Sequence, residues 1–159
     1  MSDPVIDCLR DEFDRFIGLM ELQIDRCPEP VWNRPGHDFP FSQHILHTLA
    51  CSMMFTATEG EPYAGLPYSR QEIMFAAPLS RDISKEEMRD LAQKVRRSAH
   101  EFMAGLDQAK LAEKHQVSST AMGRDRSNAQ ALIALVRHIC YHLGCCDAAL
   151  KNNGAEAVH

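Results

Sequence analysis

SNAQALIALVRHICYHLGCCDAALK, residues 127–151, reads as one long amphipathic helix carrying a metal-binding spacing on its flank. Leu132, Leu135, Val136, Ile139, Leu143, Cys146 and Leu150 recur at helical intervals and define an apolar stripe. Ser127 and Gln130 form a capping box that fixes the start, and Gly154 suits the stop. His138 and His142 stand four positions apart, and a helix turns once per about 3.6 residues, so both imidazoles share one side. At about 100° per residue they lie about 110° and 70° from the stripe centre, among the small residues Ala131, Ala134, Cys145 and Ala149. Small neighbours leave room for a pocket.

Three more stretches carry the same periodicity. Residues 4–27 repeat Val5, Leu9, Phe13, Phe16, Ile17, Met20 and Ile24, with Pro4 suited to a first helical position. Residues 42–58 follow, with Ser42 as the expected N-cap. Residues 84–106 open with a capping box, Ser84 and Glu87, and continue through Met88, Leu91, Val95, Ala99, Phe102 and Met103. There is no repeat, low-complexity tract or convincing strand. Four such helices in one domain predict an all-α, up-down four-helix bundle spanning 1–159.

Two connections are long. The first, from Trp32 to Phe41, contains Pro35, Gly36 and Pro40. The second, 60–82, is broken by Gly60, Pro62, Gly65 and Pro67, with a short helix expected over 71–76. It carries Tyr63, Tyr68, Met74 and Phe75, which no periodic helix would bury, so this segment and Trp32 are expected to wall the open side of the site. The polar stretch before residue 127 reads as irregular.

Composition narrows the function classes. With 159 residues, 45% hydrophobic and 25% charged, the chain fits one soluble domain. A net charge of -5 without a basic run argues against nucleic acid. No apolar stretch approaches the roughly 20 residues of a membrane span. The acidic start, Met1 to Pro4, lacks a signal-peptide core, so the cytoplasm is the expected compartment. Cys8, Cys27, Cys51, Cys140, Cys145 and Cys146 show no CxxC and read as reduced core residues, with Cys145 notable for its place three after His142.

A third histidine would complete an open His₃ set. On the second long helix His47 lies about 110° from the stripe centre and His44 about 170°, which makes His47 the ligand and His44 a surface or outer group. The expected metal ligands are therefore His47, His138 and His142. There is no HExxH, GxSxG, Walker loop or GxGxxG, and the sole ExxH ends at His159.

These residues resemble the DinB/YfiT-like superfamily of metal-dependent enzymes. FSQHILHTLA, 41–50, is similar to the family's second-helix motif, and LVRHICYHLG, 135–144, to its last-helix motif. The resemblance implies a four-helix bundle with a His₃ centre for a divalent ion: Zn, Ni, Fe or Mn. It also implies a thiol-dependent S-transferase, or a related small-molecule transferase or hydrolase, with a low-molecular-weight thiol as cosubstrate. Cys145 stands where the family often has Gln. Trp32, Tyr141 and Cys145 are the candidate substrate-binding residues, and no general base is assigned, Tyr141, Arg137 and Cys145 being the nearest by helical neighbourhood. The alternative is a non-catalytic metal-binding or interaction module of the same fold. A homodimer is expected in either case.

Overall fold

The computed structural model describes residues 3–34 and 39–159; the 35–38 part of the first connection and residues 1–2 lie outside it. In chain order the helices are α1 (Pro4–Arg26), α2 (Glu29–Trp32), α3 (Phe41–Thr56), α4 (Arg70–Ile73), α5 (Lys85–Ala104), α6 (Gln108–Ala112), α7 (Gln116–Met122) and α8 (Asn128–Asn152). The four periodic stretches are the four long helices. The chain is all-α among the described residues, where the single β-type pairing is an isolated bridge between Lys114 and Ser127.

Both expected capping boxes form. Ser84 and Ser127 accept from the amides of Glu87 and Gln130, whose side chains return to the cap backbones. The start of α3 differs from expectation. Its N-cap is Pro40, which offers no side-chain bond, and Ser42 is fully buried inside the helix. The polar stretch read as irregular holds α6 and α7, each capped by a side chain: Asp107 accepts from Lys110 N, and His115 Nδ1 from Ser118 N. Helices this short give no periodicity to read.

α3 packs against α8 and α5, and α1 packs against the same two. Phe13, Ile17, Met20, Ile45, Leu46, Leu49, Met88, Val95, Leu135, Ile139 and Leu143 fill the space between them. α3 is covered on all sides, with every residue buried except His44 and Met53. A helix buried all round must satisfy its polar side chains internally. Thr48, Ser52 and Thr56 do so by donating to the carbonyls of His44, Thr48 and Ser52, at 2.8, 2.7 and 3.1 Å.

The cover on the outer side of α3 is the segment around α4. It is organised by a third capping box, unanticipated from sequence, in which Ser69 caps α4 and Glu72 reaches back to the Ser69 amide at 2.7 Å. The second oxygen of Glu72 accepts from Ser80 N at 2.6 Å, so one carboxylate closes the loop from 69 to 80. These bonds hold its carboxyl down at about 2, against an ordinary value of 4.5.

Trp32 belongs to the core rather than to a substrate wall. It is 2% exposed, stacks on Phe41 and donates from its indole N–H to the Ile83 carbonyl at 2.7 Å. A side chain so enclosed has no face left for a ligand. Trp32→Ala is therefore expected to cost about 3–5 kcal/mol in urea denaturation. A cost under about 1 kcal/mol, the scale of a surface substitution, would show that the indole is not structural.

Candidate metal centre

His47 comes from α3 and His138 and His142 from α8, two helices in direct contact. Their rings converge. The centroids lie 5.0 Å apart for His47 and His138, 4.7 Å for His47 and His142, and 4.6 Å for His138 and His142. Imidazoles around one ion, with metal–nitrogen bonds of about 2.0–2.1 Å, have ring centres roughly 4.5–5.2 Å apart for octahedral to tetrahedral angles. The observed spacing falls inside that range.

The tautomer of His47 is set by its surroundings. Its Nδ1 lies 2.8 Å from the Ile73 carbonyl, which can only accept, so the proton sits on Nδ1 and Nε2 keeps its lone pair. Ile73 ends α4, and the amides that follow bond to Arg70, Glu72 and Gln71, leaving its carbonyl for the imidazole. A ligating histidine fixed through its other nitrogen in this way is the usual outer support of a metal site. On α8, His138 Nε2 and His142 Nδ1 are buried without a hydrogen-bond partner among the described residues. Orphaned ring nitrogens of this kind are costly unless something binds them.

The electrostatics favour the metal-ready form. Burial, followed by repulsion from neighbouring imidazoles, lowers His138 to about 4 and His142 to about 3. Burial likewise lowers His47, against the bond to Ile73. All three rings are neutral at pH 7, as ligands must be.

Among the described residues the side chains whose donor atoms close on one another are His47, Cys51 and His138; His142 is not part of that set. Ligand atoms of His47, Cys51 and His138 all lie within 4.8 Å of one another, so these three could hold a metal ion. The Cys51 sulfur is 3.8 Å from His47 Nδ1 and 3.9 Å from Nε2. The signal was present: Cys51 follows His47 by four, as His142 follows His138. It was read only as a small core residue.

From the long connection, Phe75 reaches the site. Its ring is 4.4 Å from His47, 4.8 Å from His44 and 6.3 Å from His142. It sits at φ 59°, a left-handed conformation that bulky residues rarely adopt. Tyr63 turns its hydroxyl toward the sulfurs of Met54 and Met74 at 3.9 and 3.6 Å. Tyr68 is buried under Arg81, its ring 5.0 Å from that guanidinium. Tyr141 is 67% exposed and meets His142 edge-on at 5.0 Å. Cys145 is half-buried on α8 beside the buried Cys146, and Arg137 is exposed and lines a different groove. His44 is half-buried at the margin, 6.2 Å from His142.

No protein-family model and no curated protein sequence matches this chain.

Two predictions follow from the cover. Glu72 has a folded-state value depressed below its unfolded one, so the stability it contributes is present above about 4.5 and is lost as pH falls toward about 2. The amide resonances of Ser69 and Ser80 should titrate together with a midpoint near 2; a midpoint near 4.5 would mean that the clamp does not form. At position 75 the left-handed backbone penalises any residue with a Cβ by about 1–2 kcal/mol. Phe75→Gly should consequently be more stable than Phe75→Ala by that amount in denaturant titrations, and equal stability would remove the strain.

Proposed function

We propose that this chain is a metal-dependent enzyme of the DinB/YfiT-like type, a four-helix bundle in which His47, His138 and His142 bind a divalent ion. Its best-supported activity is thiol-dependent S-transfer, or a related transfer or hydrolysis on a small molecule. The observation that carries this reading is the convergence of three neutral imidazoles, one with its tautomer fixed by a backbone carbonyl. Zn, Ni, Fe and Mn all accept imidazole ligands. The ion would supply Lewis acidity and favour the thiolate form of a thiol cosubstrate.

The protein's own groups have separable roles in this reading. His47 is oriented by Ile73 and fixes the α3 side of the site. Phe75 lies over His47 and excludes water from that face. Tyr141 stands exposed beside His142, where a substrate arriving from solvent would meet it. Among the described residues no side chain around the rings is assigned as a general base.

A second reading, a non-catalytic module that pairs with another copy, is favoured by a separate observation. An apolar groove of ≈ 460 Å³ runs between α1 and α8, lined by Leu9, Phe16, Ile133, Val136, Cys140 and Tyr141. Exposed apolar grooves of this kind often mark interfaces.

Metal content by mass spectrometry, followed by thiol-transfer assays with and without chelator, separates the readings. The expected result is one ion per chain and transfer that chelator abolishes. One ion without turnover supports the module, and no stoichiometric ion among the four ends the metal reading. His138→Ala should lose stoichiometric binding and keep its helical circular dichroism, because Leu132, Ile139 and Leu143 pack independently of the rings. Complete unfolding on chelation would instead make the site structural.

A further inference from the structure

We infer that Cys51 is a fourth protein ligand, so that the ion sits in a His₃Cys set built from two one-turn pairs, His47 with Cys51 on α3 and His138 with His142 on α8. This rests on the metal-site reading above and goes beyond it in naming the donor set. The geometry is that of two packed helices each presenting residues i and i+4 to the other. His47, Cys51 and His138 bring their donor atoms within 4.8 Å of one another, and the His142 ring stands beside them, its centre 4.7 Å from that of His47 and 4.6 Å from that of His138.

The distances agree. With metal–sulfur near 2.3 Å and metal–nitrogen near 2.0–2.1 Å, a tetrahedral site puts sulfur and nitrogen roughly 3.6 Å apart. Cys51 Sγ lies 3.9 Å from His47 Nε2, the nitrogen that Ile73 leaves available. Cys51 also falls within the 4.8 Å that spans the donor atoms of His47 and His138. It is 3% exposed, so its sulfur is held among these groups rather than in solvent.

Binding is a substitution at sulfur. The S–H bond of Cys51 breaks, a metal–sulfur bond forms, the electron pair stays on sulfur and one proton leaves to solvent. The three imidazoles lose no proton because each donates a lone pair it already has. A thiolate donor selects soft or borderline ions and disfavours Mn²⁺. It also occupies the place a cosubstrate thiol would take, so an incoming thiol must displace Cys51 or enlarge the coordination shell.

Cobalt(II) chloride is the probe, added to the metal-free full-length chain. The wild type should bind one cobalt and show a near-ultraviolet sulfur-to-cobalt charge-transfer band. Cys51→Ser should lose that band while Cys145→Ser keeps it. X-ray absorption on wild-type protein alone should show one sulfur near 2.3 Å, which holds the test open if the serine variant fails to fold. Stoichiometric cobalt that His138→Ala abolishes, with no sulfur band and no sulfur scatterer, overturns this inference and leaves the three-histidine reading standing. A band that survives in Cys51→Ser overturns it too. No cobalt bound by the wild type removes both.

Discussion

The hydrogen bond from His47 Nδ1 to the Ile73 carbonyl, 2.8 Å long and buried, is the constraint on which the site depends. It acts in both directions. It holds the imidazole in one tautomer and one orientation, and it pins the end of α4 against α3. One turn earlier on α3, Gln43 donates to the carbonyls of Glu72 and Ala77 at 2.7 and 2.8 Å. Two side chains of one helix thus grip three carbonyls, those of Glu72, Ile73 and Ala77, in a connection with little regular structure of its own. Glu72 closes the same segment from within. Phe75, placed between these anchors, has no freedom to relax its backbone, which explains how a phenylalanine persists at φ 59°.

Such a grip requires an unusual helix. α3 is buried on all sides, so its polar residues are cut off from solvent, and most of them find a protein partner, the Ser42 hydroxyl being an exception among the described residues. Thr48, Ser52 and Thr56 turn back on their own helix, Gln43 and His47 reach the connection, and Cys51 turns toward the rings. α8 differs, with one wet face, and its histidines lie on the flank where that face meets the core. The contact between α3 and α8 therefore joins a dry helix to a half-wet one. Its seam is where neutral imidazoles can be buried on one side and approached from the other.

The legibility of the sequence followed the same division. Long helices with one apolar stripe were readable from periodicity and capping boxes, and Ser84 and Ser127 cap where expected. His138 and His142 were readable because spacing on a single helix fixes their relation. Ser42 misled as a cap because α3 is buried to its first turn, so a serine there signals tertiary packing rather than a helix start. The prolines around Trp32 make it read as a loop residue open to ligand, yet it ends α2 and its indole nitrogen is bound to Ile83, 51 residues later in the chain, a pairing that no local pattern encodes. Ile73 was illegible for a different reason: it acts through its carbonyl, which every residue has. Cys51 was legible and passed over, since the one-turn rule applied to His138 holds equally for His47.

This difference in legibility has a physical basis that bears on function. Groups contributed by helix spacing are held by backbone hydrogen bonds that form with the helix itself, so their relative positions are as rigid as the fold. Groups contributed by the connection, the Ile73 carbonyl and the Phe75 ring, are held by a handful of side-chain bonds and one strained residue. The Ile73 side chain is itself fully buried in the core, so the carbonyl that orients His47 is anchored through apolar packing as well as through these bonds. A site assembled this way takes its candidate ligands from two helices and its cover from a connection fastened by side-chain bonds. The ligand geometry answers to the α3–α8 contact, and access to it answers to the loop that Gln43, His47 and Glu72 hold down.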